Sequence, residues 1–395
     1  MQPILTYCTN LLPGESLDEV RAMLRGFASP LRTKLAIQGA LPIGLYLSSR
    51  ACDELEQPGA FDAFEGELKS LNIQVVTINA FPFGGFHDTI VKERVFEPAW
   101  DAEPRRVYTE KAARIFARLL PRGSEGSIST HSGYYKESNI NEERDWRVAR
   151  AWLRTAIAFN KIHEETGRKL ILSIEPEPMS RIETTDESIQ FLELTFMSTM
   201  RRMAAEWSVS PSWLEGVARR HLGVCFDCCH QSVEFEDPVA SLTKLSAAGI
   251  QIGKIQASSA PAVLDPKNNR AALAKLLQFA EPKYLHQTYG RAASNRILKH
   301  RDLAPALADE TFLTTVDELR THFHIPIYLA TAGHPDIRTT RGDLERVLKN
   351  CSELTNCIEI ETYTMSATPE PPNDYSGMVE IAAREWKFAE ALAGL

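Results

Sequence analysis

The residues of this 395-residue chain that could do chemistry follow short apolar runs. Glu175 ends one run, Asp227 a second and Glu361 a third, while His230 stands three positions after Asp227. Three carboxylates that converge without a fixed Lys or Arg beside them repel one another unless a cation lies between them. Carboxylate oxygens with one amide or imidazole suit Mn²⁺, Mg²⁺, Zn²⁺ or Co²⁺. The pattern predicts a divalent metal site, although any one carboxylate could instead cap a helix or pair with an arginine.

Two further histidines stand two positions apart, in Thr321-His322-Phe323-His324. An extended segment presents residues at this spacing to the same side, so both imidazoles could reach one site. The alternative is a pair of partly exposed histidines above that site. Other polar residues also end apolar runs and are candidates for the same region: Thr9, Asn10, Asn79, His131, Glu177 and Gln256.

The cysteines of the segment 225–230 (CFDCCH) suggest a metal or redox motif at first sight. A zinc-finger site needs a second ligand pair, and a thioredoxin-type motif should open a helix with nothing competing for it. Neither condition is met, so the cysteines are predicted to be small core residues around a functional Asp227. The chain contains no phosphate-loop, HExxH or GxSxG motif, which argues against P-loop, zincin and serine-hydrolase chemistry.

The elements that must position these residues alternate along the chain. Eight short apolar runs are separated by helical patterns, which is typical of repeated βα units and predicts an α/β protein with a (β/α)8 TIM barrel. In such a barrel the functional side chains lie at the C-terminal ends of the strands. Two of the predicted helices are Leu17–Phe27, after a capping box at Ser16, and Thr109–Leu120. The predicted strands are Ile4–Cys8, Pro42–Ser48, Ile73–Ala80, Gly126–His131, Lys169–Pro176, Leu222–Asp227, Ile250–Ala257 and Cys357–Tyr363.

Two segments are longer than ordinary βα loops, namely residues 81–108 after the third strand and 258–320 after the seventh. Because the chain has no low-complexity tract or Pro/Gly/Ser-rich hinge, residues 1–395 are predicted to form a single domain with these two insertions. The insertions and the barrel mouth supply candidate substrate contacts. These candidates are Asn79, His87, Trp100, His131, Glu177, His286 and His322.

Composition restricts the partners of the chain. The 44 Lys and Arg against 52 Asp and Glu give a formal charge of −8, which argues against nucleic acid as a partner. No apolar run is long enough to span a bilayer, and the first ten residues lack the pattern of a signal peptide. We therefore expect no membrane insertion, a cytoplasmic location and seven reduced cysteines.

Three motifs carry a resemblance to a known superfamily. The segments 173–177 (SIEPE), 223–230 (GVCFDCCH) and 360–363 (IETY) resemble the fifth, sixth and eighth strand motifs of the xylose-isomerase-like, or sugar phosphate isomerase/epimerase, barrels. The resemblance implies one metal held by Glu175, Asp227, a strand-seven histidine and Glu361. Gln256 stands where the family has that histidine, so either the Gln256 carbonyl oxygen or the His324 imidazole completes the ligand set.

Nearly the whole chain further resembles a narrower group, the EboE-type metabolite traffic proteins. The similar segments are 6–10 (TYCTN), 79–87 (NAFPFGGFH) and 359–364 (EIETYT). This resemblance implies a barrel that works with other proteins to process or export a small metabolite. Barrels of this kind often form dimers, so a homodimer is a further expectation.

The resemblance implies a metal-dependent isomerase, epimerase or related lyase that acts on a sugar, polyol or sugar-like metabolite. Glu175 and Glu361 would exchange protons with substrate carbons from opposite sides. His230 would orient a hydroxyl group or stabilise an oxyanion.

Two alternatives remain open. The superfamily includes AP-endonuclease-type phosphoester hydrolases with two or three metals, to which His131, His322 and His324 would contribute. The second alternative is a barrel that binds and carries a metabolite without catalysing a reaction. Metal stoichiometry separates the three cases, because they require one metal, several metals and none.

Overall fold

Eight parallel strands close a barrel in the computed structural model, which describes residues 2–87, 90–136 and 140–395. The order around the barrel is β1-β13-β7-β6-β5-β4-β3-β2, so the chain runs around it in sequence and the predicted (β/α)8 barrel is confirmed. All eight predicted strands coincide with barrel strands, although the last ends at Ile360, before Tyr363. The barrel strands are β1 Ile4–Cys8, β2 Leu41–Tyr46, β3 Ile73–Asn79, β4 Glu125–His131, β5 Lys169–Glu175, β6 Leu222–Asp227, β7 Ile252–Ala257 and β13 Cys357–Ile360.

The interior of the barrel holds polar as well as apolar side chains. Lys254 on β7 and Glu359 on β13 form an ion pair that is completely buried. Gly44 on β2 makes room for it, because a Cβ at that position would meet Glu359 Oε1 at 1.7 Å. The middle of the barrel is therefore closed by a charge pair and is packed, not hollow.

Helices surround the barrel, and their apolar faces pack on its outer surface. The capping box at Ser16 is present, with Glu19 as its partner. The predicted start of the fifth helix at Thr109 is wrong, because the helix begins at Glu103 with Pro104 in its first turn, where proline is favoured. The helices are α1 Leu17–Met23, α2 Ser29–Lys34, α3 Ser49–Leu55, α4 Ala60–Ser70, α5 Glu103–Leu119, α6 Glu142–Thr166, α7 Thr185–Gln190, α8 Phe196–Trp207, α9 Pro211–His221, α10 Cys228–Val233, α11 Pro238–Ala247, α12 Arg270–Leu276, α13 Leu303–Ala308, α14 Glu310–Thr315, α15 Arg341–Leu348 and α16 Tyr375–Ala393.

The insertion after β7 folds into a five-stranded antiparallel sheet with the order β10-β9-β11-β8-β12. It extends beyond the predicted end at residue 320, because β12 pairs with β8 and thus belongs to the same sheet. The inserted sheet has its own apolar core, which includes Val263, Phe312 and Phe323. Its strands are β8 Pro261–Leu264, β9 Thr288–Ala292, β10 Ile297–His300, β11 Val316–Thr321 and β12 Ile337–Thr339.

The segment after β11 leads from the inserted sheet to the mouth of the barrel. Phe323 packs into the core of the inserted sheet, with its ring centroid 5.0 Å from that of Phe279. His322 and His324 flank Phe323 and contact His230 at the C-terminal end of β6 instead. The alternation of side chains along this segment thus delivers both imidazoles to the barrel.

The helices of the described residues include none that is both long and apolar enough to cross a membrane. All seven cysteines are buried and unpaired.

Candidate metal centre

Three carboxylates meet at the C-terminal mouth of the barrel. Glu175 ends β5, Asp227 ends β6 and Glu361 directly follows β13, and one oxygen of each lies within 4.8 Å of the others. All three are buried, and Glu175 Oε2 has no hydrogen-bond donor among the described residues. Burial and the charges of Glu361 and Asp227 raise the pKa of Glu175 well above its usual value. An arrangement of this kind has the donor set and the negative charge that a divalent cation needs.

Two asparagines fix the orientation of Glu361. Asn10 Nδ2 donates to Glu361 Oε1 at 2.7 Å, and Asn79 Nδ2 donates to the same oxygen at 2.9 Å. Asn79 also accepts a hydrogen bond from the backbone N–H of Phe81 at 3.0 Å. The hydrogen bonds leave Glu361 Oε2 as the oxygen that is free to bind a ligand, and they give Asn79 a positioning role beside its place in the cavity wall.

Asp227 both caps a helix and faces the other two carboxylates, which are the two alternatives that the sequence left open for it. Its Oδ1 accepts the backbone N–H of His230 at 2.8 Å and so caps α10. The hydroxyl of Ser258, which follows β7, lies 2.9 Å from Oδ1 and 3.0 Å from Oδ2. The same carboxylate faces Glu175 and Glu361, so capping holds it in place for the cluster.

His324 is the imidazole that the structure brings to the carboxylates. Its Nδ1 donates to the backbone carbonyl of Glu361 at 2.9 Å, which leaves a lone pair on Nε2. That Nε2 is buried, has no hydrogen-bond partner in the described part of the chain and lies 4.0 Å from Asp227 Oδ2. Burial lowers the pKa of His324 to about 4, so the ring is neutral at pH 7. A neutral imidazole whose other nitrogen binds a carbonyl is the usual form of a metal-ligating histidine.

Gln256 lies elsewhere, although it occupies the strand-seven position of the resemblance. Its Oε1 accepts a hydrogen bond from the thiol of Cys225 at 3.1 Å. Gln256 is also not among the residues that line the cavity at the barrel mouth. Of the two residues that the sequence offered as the fourth ligand, His324 is the one whose imidazole lies near Asp227 and Glu361, at 4.0 and 3.9 Å.

A second group of possible ligands borders the first. The Nε2 atoms of His230 and His322 are 3.0 Å apart. His230 Nδ1 donates to the carbonyl of Pro176 at 3.0 Å, and His322 Nδ1 lies 2.7 Å from the side-chain oxygen of Gln287. Both rings therefore turn a lone pair toward each other, and this contact requires a proton or another cation between them.

Glu177 completes this second group, with one oxygen within 4.8 Å of the two imidazole nitrogens. Its Oε1 accepts the amide of Gln287 at 3.3 Å, and its Oε2 has no partner among the described residues. Burial raises the pKa of Glu177 to about 8. His286 supports the group from behind, because its Nδ1 lies 3.0 Å from the backbone oxygen of His322.

Both groups open into one cavity at the mouth of the barrel. Its floor is polar and its walls are apolar. The floor is formed by Asn10, Asn79, Glu175, Glu177, His230, His322, His324 and Glu361, and the walls by Phe81, Pro82, Phe86, Val91, Lys92, Val95, Tyr284, Leu285 and Tyr363.

Four of the predicted substrate contacts do not line this cavity. Trp100 is completely buried and donates its indole N–H to Thr130 at 2.9 Å. The ring of His131 packs edge-on against Phe81 and a second phenylalanine. The ring of His87 lies against the backbone carbonyl of Asn10 at 3.0 Å, and His286 is the support for His322 described above.

Sequence reasoning gave no role to three residues that the structure places at the site. Tyr363 lies against His324, with ring centroids 4.7 Å apart, and its position two residues after Glu361 in a motif was an available signal. Ser258 follows the seventh strand directly, where functional residues are expected. Gln287 lies in an insertion without a recognisable pattern, so nothing in the sequence pointed to it.

Comparisons with known proteins identify similar solved structures. One is described as the IolI protein with a binding zinc atom, with 10% identity, 100% of this chain and 98% of that chain covered, and a TM-score of 0.48. Another is described as the "probable 3-DHS dehydratase AsbF" from Bacillus anthracis, with 11% identity, 98% of both chains covered and a TM-score of 0.47. A third is an L-ribulose 3-epimerase, with 11% identity, 64% and 69% covered and a TM-score of 0.41.

No protein-family model matches the chain, and no curated protein matches it either. The resemblance to the EboE-type proteins therefore stays a prediction.

Proposed function

We propose that the chain is a metal-dependent isomerase, epimerase or related lyase that acts on a sugar, polyol or sugar-like metabolite. One divalent ion, which is Mn, Zn, Mg or Co, would be held by Glu175, Asp227, Glu361 and His324. The supporting observation is the set of three buried carboxylates that face one another without a Lys or Arg ion pair among the described residues, with the lone-pair nitrogen of His324 lying 4.0 Å from one of them, Asp227. Three oxygens and one imidazole suit all four of these ions.

The bound ion would polarise a carbonyl group and an adjacent hydroxyl group of the substrate. The protein's own part is proton transfer and orientation. Glu175 Oε2 has no hydrogen-bond partner among the described residues, and the amides of Asn10 and Asn79 donate to the other oxygen of Glu361, Oε1. Both carboxyl groups are therefore suited to accept or return a proton at the two faces of a substrate. His230 lies between the two ligand groups, where it would orient a substrate hydroxyl.

The test of this proposal is metal content, measured by mass spectrometry on protein purified without chelator. We expect about one ion per chain, lost in Glu175→Ala, Asp227→Ala and His324→Ala. Gln256→Ala is the matched control and should keep the ion, because the side-chain oxygen of Gln256 is engaged by the thiol of Cys225. A wild-type protein that takes up no metal after reconstitution contradicts the proposal and favours a metabolite carrier.

Activity is then tested with the metal-loaded protein. Sugars and polyols are screened for exchange of carbon-bound hydrogen with deuterated solvent, which reports proton abstraction without knowledge of the product. Glu361→Gln should abolish the exchange without unfolding the barrel. Full exchange in that variant under metal-replete conditions would remove Glu361 from the mechanism.

The second candidate function is a multi-metal phosphoester hydrolase. The contact between His230 Nε2 and His322 Nε2 supports it, because a metal ion could satisfy both lone pairs, with Glu177 as a third ligand. Two or more ions per chain, of which one is lost in His322→Ala while another remains, would favour the hydrolase. One ion that His322→Ala leaves in place favours the isomerase.

The proposal includes a small-molecule substrate, no nucleic-acid partner, a cytoplasmic location and pairing into a homodimer. It also includes association with other proteins of a metabolite-export pathway. Light scattering on the purified chain tests the dimer directly.

A further inference from the structure

We propose that the substrate has a hydroxylated head joined to an uncharged, apolar body, and that it is neither a sugar phosphate nor a free sugar. This inference rests on the proposed function, since it takes the cavity above the candidate metal centre as the substrate site. It is carried by the walls of that cavity, which the proposed reaction does not explain.

One wall is a continuous row of aromatic rings that begins at the candidate metal ligand His324. Tyr363 lies 4.7 Å from the ring of His324, Tyr284 lies 5.1 Å from Tyr363, and Phe86 lies 5.1 Å from Tyr284. These spacings are those of rings in direct contact. A substrate whose head reaches the centre therefore has its remainder against ring faces and edges.

The other walls are also apolar. Phe81, Val95 and Leu285 line them, and all three pack in one cluster behind the cavity surface. We call Phe81, Phe86, Val95, Tyr284, Leu285 and Tyr363 together the aromatic collar. Apart from Lys92, the polar side chains that line the cavity outside the collar belong to the two ligand groups or are the asparagines that orient Glu361, so the collar itself offers only the hydroxyl groups of Tyr284 and Tyr363.

The charges at the collar exclude a phosphate group. Among the described residues that line the cavity, Lys92 is the only lysine or arginine. Its Nζ donates to Asp302 Oδ2 and to the backbone carbonyl of Tyr284, both at 2.6 Å, so its charge is already paired and two of its three N–H donors are used. A phosphate dianion at the rim would lose water without gaining a charged partner.

A free sugar fits the collar poorly for a related reason. Its outer hydroxyl groups would need hydrogen-bond partners at the walls, and an unpaired buried hydroxyl weakens binding. Tyr284 Oη is buried, has no hydrogen-bond partner within the described ranges and could serve one such group. An apolar body needs no partners and gains about fourfold in affinity for each buried methylene group.

Three small diols test the proposal because they share one head. 1,2-Hexanediol, glycerol and sn-glycerol 3-phosphate carry the same vicinal diol with an alkyl, a hydroxymethyl and a phosphate extension. Their dissociation constants are measured by saturation-transfer NMR on metal-free and on zinc-loaded protein. We expect 1,2-hexanediol to bind at least tenfold tighter than glycerol, with the strongest transfer at its alkyl protons, and sn-glycerol 3-phosphate to bind weakest to the metal-free protein.

Variants link that preference to the collar. Phe86→Ser should lower the ratio of the dissociation constants of glycerol and 1,2-hexanediol to less than three. Val95→Ser should lower the same ratio by a factor of about four, and because Val95 is only half-buried this substitution should not prevent folding. Leu277→Ser, at an exposed leucine outside the cavity, is the control and should leave it unchanged.

The proposal is overturned by tighter binding of sn-glycerol 3-phosphate than of 1,2-hexanediol to metal-free protein. It is equally overturned if no saturation reaches the alkyl chain, or if both collar variants behave as the control does. Metal content measured on the same samples separates this outcome from failure of the proposed function. A protein that binds no metal but keeps the alkyl preference would retain the collar as a ligand site and lose the metal-dependent reaction.

Discussion

Two neighbouring layers of the barrel interior treat buried carboxylates in opposite ways. In the lower layer Glu359 on β13 is paired with Lys254 on β7, and both side chains are completely buried. Two residues further along the chain, just after β13, Glu361 faces Asp227 and Glu175 without a Lys or Arg ion pair among the described residues. The lower layer carries its own counter-charge, whereas the upper layer lacks one. The uncompensated layer is therefore the one suited to take up a cation from solution.

Glu385 on α16 illustrates a third way to bury a carboxyl group. It accepts hydrogen bonds from Tyr7 Oη at 2.5 Å, from Thr362 Oγ1 at 2.6 Å and from the backbone N–H of Ile327 at 3.1 Å. These donors are neutral, so they compensate the charge only in part. Burial raises the pKa of Glu385 to about 7 as a result.

The largest effect is expected when the compensated layer loses its cation. Lys254→Met leaves Glu359 buried without a charged partner, which should lower the free energy of unfolding by about 3–5 kcal/mol. Urea denaturation monitored by circular dichroism measures the loss. The double variant Lys254→Met/Glu359→Leu is the control and should return to within about 1 kcal/mol of the wild type. If Lys254→Met alone were as stable as the wild type, the lower layer would not depend on its counter-charge for stability.

The next largest effect concerns the pH dependence of stability and arises from Glu385, the carboxyl group whose hydrogen-bond donors are neutral. In the unfolded chain Glu385 has its usual pKa of 4.5, and in the folded chain the pKa is about 7. The folded state therefore holds the proton over a range in which the unfolded state releases it. The stabilisation is complete below pH 4.5 and is lost as pH rises through 7, and the total is roughly 3 kcal/mol.

Glu385→Gln should remove this part of the pH dependence. Denaturation curves of the variant and the wild type between pH 4.5 and 8 provide the measurement. Parallel profiles in the two proteins would mean that Glu385 titrates normally when folded.

The smallest effect has the opposite sign and lies in the uncompensated layer. Glu361→Gln, measured in chelator, should raise the free energy of unfolding by about 1 kcal/mol, because it removes one of three like charges. The amides of Asn10 and Asn79 can still donate to the remaining carbonyl oxygen. With metal added the order should reverse, since only the wild type binds the ion tightly. A variant less stable than the wild type in chelator would show that repulsion does not dominate this layer.

The barrel was predictable from the sequence because its signal is local and repeated. Each strand is a short apolar run, and the runs recur with helical patterns between them, so that the eight strands were located correctly. The carboxylates at Glu175, Asp227 and Glu361 were predicted to converge for the same reason, since the ends of barrel strands share one face.

The inserted sheet and the contacts it supplies were not predictable in the same way. Antiparallel pairing of β8, β9, β11 and β12 depends on contacts between segments far apart in the chain, and their runs are short. The choice between Gln256 and His324 depends on how that sheet docks, which no spacing in the sequence encodes. Trp100 was placed at the site on the basis of its loop alone, whereas the structure buries it against Thr130.

His324 reaches the cluster from the inserted sheet, while the other three candidate ligands come from strands of the barrel. The two parts have separate apolar cores. An ion bound by all four residues would join those cores through coordination bonds, and movement of the insert away from the barrel would have to break one of them. Supply of the ion in the cell would then govern how long the molecule survives proteases, in addition to whether it turns over substrate.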